Sequence, residues 1–146
     1  MRRWLVWSLV AVVVLVGAVV GGVAVYRKVT YGDQYDAGHS AVAVSDGSVF
    51  TLVVRDRGAS VGDNWSATVA DPAIAEQIGS TLVADSLSDR VFGPADGGGA
   101  GERLITFKAK APGTTTITLT NCFQGCDNDR RRAASSTVSW SVTVGS

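Results

Sequence analysis

Two cysteines, Cys122 and Cys126, precede a run of three arginines, Arg130 to Arg132, in the stretch NCFQGCDNDRRR. Paired thiolates can hold a metal or close a disulfide. A tetrahedral zinc site needs four ligands, and two cysteines with no histidine nearby do not complete one. His39, the only histidine, is remote in sequence. A disulfide across Phe123, Gln124 and Gly125 would close a small ring worth roughly 2 kcal/mol by chain entropy. Such a staple serves either to preset the shape of a recognition loop or to guard it from proteolysis. The arginines follow Asp127 and Asp129 and read either as a solvated, self-neutralised loop or as a tip seeking an acidic protein, polymer or phospholipid headgroup.

Other candidate chemistry is sparse. DND is too short for a calcium loop. Ser60 and Ser66 have no histidine near them, so no nucleophile with its base is assembled. DGGGAG lacks the Lys-Ser/Thr of a phosphate-binding loop. NWS, residues 64–66, fits a glycosylation triplet that is common by chance. No pair of carboxylates stands out. An enzyme is the least supported class, and no cofactor or metal is implied.

The elements that position these residues begin at a membrane. Trp4 to Tyr26 contains no charge and would extend about 34 Å as a helix, against roughly 30 Å for a bilayer core. Arg2, Arg3, Arg27 and Lys28 flank it, with Trp4, Trp7 and Tyr26 at interfacial positions. Residues 1–28 therefore read as a single transmembrane helix, favoured over a cleaved signal peptide because VAVYRKV offers no convincing cleavage site. The short Arg-Arg tail places residues 29–146 outside the cytoplasm of a single-pass protein, where a disulfide persists. Without a retained anchor the domain would be secreted. Residues 29–40 read as a tether, leaving 41–146 as one domain. Beyond the anchor nine basic residues face thirteen acidic ones, a net charge of −4, which argues against nucleic acid as a partner.

Alternation of apolar and polar residues recurs through that domain. Phe50, Leu52 and Val54 share one face, as do Trp65, Ala67 and Val69. The same period places Ile105, Phe107 and Ala109 together, then Ile117 with Leu119, then Val138, Trp140, Val142 and Val144. Residues 73–92 are less legible. Short strands with one dry and one wet face, and no helices, predict an all-β, immunoglobulin-like antiparallel β-sandwich. The segments 55–64, 93–102 and 121–136 lie between these strands, and if strands alternate in direction all three fall at one end. The short turns DPA and APG fall at the other.

In order and spacing these residues resemble the chagasin-like inhibitors of papain-type cysteine peptidases. That family carries a loop Asn-Pro-Thr-Thr-Gly-Tyr-x-Trp, an SDPA-like turn, a glycine-rich loop, and a Phe-x-Ala-x-x-x-Gly segment leading to a third loop with Arg-Pro-Trp. Here GASVGDNW (58–65), VADPAI (69–74), GGGAGE (97–102) and FKAKAPGTTTITL (107–119) take those places. Gly62 and Trp65 match, Ser60 and Val61 fall on the two threonines, and Gly58, Ala59 and Asp63 replace Asn, Pro and Tyr. Gly97, Gly98 and Gly99 match the glycine loop, whereas the cysteine pair and arginine run replace Arg-Pro-Trp. The resemblance implies a wedge of three loops entering the peptidase cleft, its first-loop tip over the catalytic cysteine. Its contact residues here would be Ser60, Val61, Gly62 and Asp63 at the tip, with Gly97 to Gly99, Phe123, Arg130, Arg131 and Arg132 beside it. The alternative is an envelope or adhesion module that uses the same loops to bind another protein or an anionic surface without inhibiting.

Overall fold

The computed structural model describes residues 21, 22, 25, 28–86, 89, 90 and 99–146. Of the apolar segment Trp4–Tyr26, Gly21, Gly22 and Val25 are helical and the rest lies outside the described residues. Among the described residues no helix is long and apolar enough to cross a membrane. The chain divides into two units after Gly32, the second being Asp33–Ser146.

That second unit is a sandwich of two four-stranded sheets. Its strands are β1 (Asp33–Asp36), β2 (Ala41–Ser45), β3 (Val49–Asp56), β4 (Trp65–Val69), β5 (Ala75–Ala84), β6 (Gly101–Ala109), β7 (Gly113–Asn121) and β8 (Ser136–Gly145). One sheet runs β1-β3-β6-β5 and the other β2-β8-β7-β4. The alternating residues named above make the core. Phe50, Leu52, Ile105, Phe107, Ile117, Leu119, Trp140 and Val142 are all buried between the sheets. Phe50 and Phe107 are register partners whose rings stack with centroids 5.6 Å apart. Burying each such side chain is worth about 1.5–3 kcal/mol, which sets the register because a one-residue slip would turn the whole set outward.

Three expectations need correction. Residues 33–36 are not tether: DQYD pairs with β3, Tyr35 packs on the core, and the Trp140 indole N–H donates to the Asp36 carbonyl at 3.0 Å. The sheets are not purely antiparallel, since β1 pairs parallel with β3 and β2 with β8. Short turns force β1, β2 and β3 to alternate in direction while they alternate between sheets, so β1 and β3 run the same way. Nor is every strand wet on one face. In β6, Leu104 and Thr106 are buried as well, and the Thr106 hydroxyl is 3.1 Å from that of its register partner Thr51, which satisfies two buried polar groups at once.

Every strand reverses the direction of the one before it. The register joins Asp56 and Ala84 to Gly101, and Trp65 and Ser136 to Asn121. The segments 57–64 and 122–135, and the two ends of the segment that joins Ala84 to Gly101, therefore lie at one end of the sandwich, as alternation predicts. The turns at 46–48, 70–74 and 110–112 lie at the other.

Candidate functional site

The first loop starts from a buried carboxylate. Asp56 ends β3 fully buried, accepting the Gly58 N–H at 2.7 Å on one oxygen and the Arg103 Nε–H at 2.7 Å on the other. From there the chain turns tightly, with the Gly58 carbonyl accepting the N–H groups of Val61 and Gly62 at 3.1 and 3.3 Å. Gly58 and Gly62 have φ of +101° and +105°, which side-chain-bearing residues rarely adopt. A Cβ on Gly62 would also lie 2.4 Å from Gln124 Cγ. Ala59, Ser60 and Val61 are left exposed at the tip, and among the described residues Val61 is one of the few large apolar residues presented to solvent.

Asp63 was expected at the surface of that tip and is not there. Its carboxylate points inward, accepting from the Arg57 backbone N–H at 2.8 Å, the Arg57 guanidinium and the Asn121 amide at 2.9 Å. Burial would raise its pKa, but hydrogen bonds from the Arg57 guanidinium, the Asn121 side chain and the Arg57 N–H outweigh burial and hold it at about 2. The unfolded value is near 4, so the carboxylate adds stability that is complete above that pH and lost as pH falls through 2. With the Arg57 partner half exposed, about 1–2 kcal/mol is expected. Denaturation measured from pH 7 to pH 2 should show this acid loss in the parent and a flatter profile in Asp63→Asn. Parallel profiles would mean the pair contributes nothing.

The third loop is built against the first. The β4–β7 ladder continues past its last pair: Cys122 N–H donates to the Asn64 carbonyl at 2.9 Å, and Gln124 N–H to the Gly62 carbonyl at 2.8 Å. The Gln124 amide reaches the Val61 carbonyl at 3.2 Å, and the Arg57 guanidinium lies 4.7 Å from the centre of the Phe123 ring. Cys122 and Cys126 form the expected disulfide around a 3-10 turn, Phe123–Gly125. A short helix, α1 (Asp129–Ala133), follows where only loop was expected. The Asn128 side chain caps it by accepting the Arg131 N–H at 3.0 Å. Arg131 pairs with Asp127 and Arg132 with Asp129, each at 2.6 Å, so the run is largely self-neutralised. The Ser135 hydroxyl accepts the Phe123 N–H at 3.0 Å and donates to the Arg131 carbonyl at 2.9 Å, tying the loop's start to its end.

Of the glycine loop, Gly97 and Gly98 lie outside the described residues. Gly99 is buried, and a Cβ on Gly58 would come within 3.1 Å of its backbone, so the second loop meets the base of the first. Ser60, Val61 and Gly62 are thus braced from both sides. The bracing residues Asp56, Arg57, Gln124 and Asn121 were not singled out in the sequence.

No curated protein sequence matches the chain. The sequence model of the chagasin family peptidase inhibitor I42 does, over residues 43–144. The chain belongs to the chagasin family. Members of this family are inhibitors, and the protein is not an enzyme. Among solved structures it is similar to the cysteine protease inhibitor EhICP2 from Entamoeba histolytica, with a TM-score of 0.57 and 16% identity over 77% of this chain and 94% of that one. Amebosin is similar to the same degree, with a TM-score of 0.57 and 15% identity over 77% of this chain and 96% of its own. At such identity these structures speak for the chagasin sandwich and not for any loop contact.

Proposed function

We propose that this chagasin-family protein inhibits papain-type cysteine peptidases by occlusion, with the three loops at one end of the sandwich forming a rigid wedge in the active-site cleft. The observation that carries the reading is the braced tip. Val61 is exposed while the backbone on either side of it is fixed by bonds to Gly58 and Gln124. A rigid segment loses little conformational freedom on association, so most of its contact energy is available for affinity. The turn conformation of residues 58–62 also differs from the extended strand a peptidase cleaves, so the tip can fill a cleft without serving as a substrate. EhICP2, which shares the fold, is a cysteine protease inhibitor.

The protein is held in the membrane by Trp4–Tyr26, with the inhibitory domain outside the cytoplasm. The unbroken apolar segment supports this, and so does the Cys122–Cys126 disulfide, because such bonds persist in oxidising compartments. One preparation tests both parts. The full chain should stay with membranes through a carbonate wash, then inhibit papain stoichiometrically once taken into detergent. Release by carbonate would remove the anchor. Absence of inhibition across several papain-type peptidases would leave the fold serving some other recognition.

A further inference from the structure

Among the described residues, most arginines at the loop end have an acceptor. Arg55 pairs with Asp85, Arg57 with Asp63, Arg103 with Asp56, Arg131 with Asp127 and Arg132 with Asp129, while Arg90 donates to the Ala84 carbonyl. Arg130 is different. It is exposed, and among the described residues its guanidinium has no acceptor. It lines a hollow of about 600 Å³ together with Phe123, Gln124, Asn128, Ala134 and Arg131, the last already paired with Asp127, immediately beside the tip that Gln124 braces.

We propose that this hollow receives a carboxylate side chain, aspartate or glutamate, from the rim of the bound peptidase's cleft, with Arg130 as its partner and a determinant of which peptidases are bound. The proposal rests on the occlusion reading above and deepens it. A guanidinium presents a planar fork of donors that matches a carboxylate. The half-buried Phe123 ring gives the methylenes of such a side chain an apolar surface. A lipid surface fits less well, since membrane docking needs several uncompensated basic residues and the domain from Asp33 onward carries a net −4.

The test compares Arg130→Ala with Arg55→Ala, a loop-end arginine paired with Asp85, in the full chain, against a papain-type peptidase that the parent inhibits. Both variants remove one positive charge, but only Arg130 is free to engage the partner. Long-range steering treats them alike and acts on association, whereas loss of a direct contact acts on dissociation. Arg130→Ala is expected to speed dissociation about tenfold and Arg55→Ala to leave it unchanged, with Arg130→Lys in between because it keeps the charge and loses the fork. Equal dissociation rates for the two alanine variants would overturn the proposal while the occlusion reading stood. So would loss, in Arg130→Ala, of an affinity for soluble short-chain phosphatidylserine, which assigns the guanidinium to a headgroup. Failure of the parent to inhibit any papain-type peptidase would remove both.

Discussion

Asp56→Ala is expected to destabilise the domain by about 3–5 kcal/mol, the range for removing one partner of a buried ion pair. Two groups lose their acceptor together: the Gly58 N–H and the Arg103 guanidinium, whose side chain is only 22% exposed. The surroundings have little room to relax. Gly101, the register partner of Asp56, lies so close to β5 that a Cβ there would fall 2.2 Å from the Val83 carbonyl oxygen. Asp56→Asn keeps an oxygen for Gly58 and loses the charge opposite Arg103, so it should cost less, about 1–3 kcal/mol. Urea titration of the two variants checks the order. Because whole domains are stable by only about 5–15 kcal/mol, the alanine variant should lie near the edge of folding at 37 °C. A loss below about 1 kcal/mol for Asp56→Ala would mean that water replaces the carboxylate, and that the first loop is not anchored there.

The core was legible because its signal is local. Phe50, Leu52 and Val54, or Trp140, Val142 and Val144, declare their common face through a period of two, whatever they pair with. Direction of pairing has no such period. That β1 and β2 join their sheets in parallel depends on which sheet each consecutive strand enters, which is settled by contacts far apart in the chain. DQYD was misread for a related reason: on a four-residue edge strand only Tyr35 turns inward, so the composition stays that of a loop. The centre of β6 misled in the opposite sense, because Leu104 and Thr106 occupy positions that alternation assigns to solvent. Helix α1, at five residues, is too short to show a helical period and is announced only by its Asn128 cap.

The site divides along the same line. Strand alternation brought the three loops to one end, and the family resemblance indicated which residues stand at the tip. What neither supplied is the bracing. Asp63 occupies a tip position by alignment, yet in the fold it turns inward to Arg57 and Asn121, the last of which is 58 residues away in sequence. A carboxylate in a polar loop reads as solvated until its partners are placed. The glycines were easier to interpret. Gly62 matches the family pattern and has a positive φ together with a close approach to Gln124, two demands only glycine meets without strain.

Val61→Arg should leave the fold intact and raise the inhibition constant by more than about 100-fold, roughly 3 kcal/mol or more. The residue is 42% exposed and the polar bonds that hold it come from its backbone, so in the free protein the longer side chain extends into water. Surface substitutions of this kind usually change stability by less than about 0.5 kcal/mol. In the complex the balance reverses. A tip seated at the bottom of a cleft would have to bury an unpaired guanidinium and displace contacts made by a compact aliphatic group, and burying an unpaired charge is strongly unfavourable. Inhibition constants read beside melting temperatures separate the possible failures. An unchanged inhibition constant would take Val61 out of the contact and move the wedge to the flanking loops. A fall in both quantities would show that Val61 supports the turn itself, in which case the bonds from Gln124 and Gly58 do not fix the tip without its side chain.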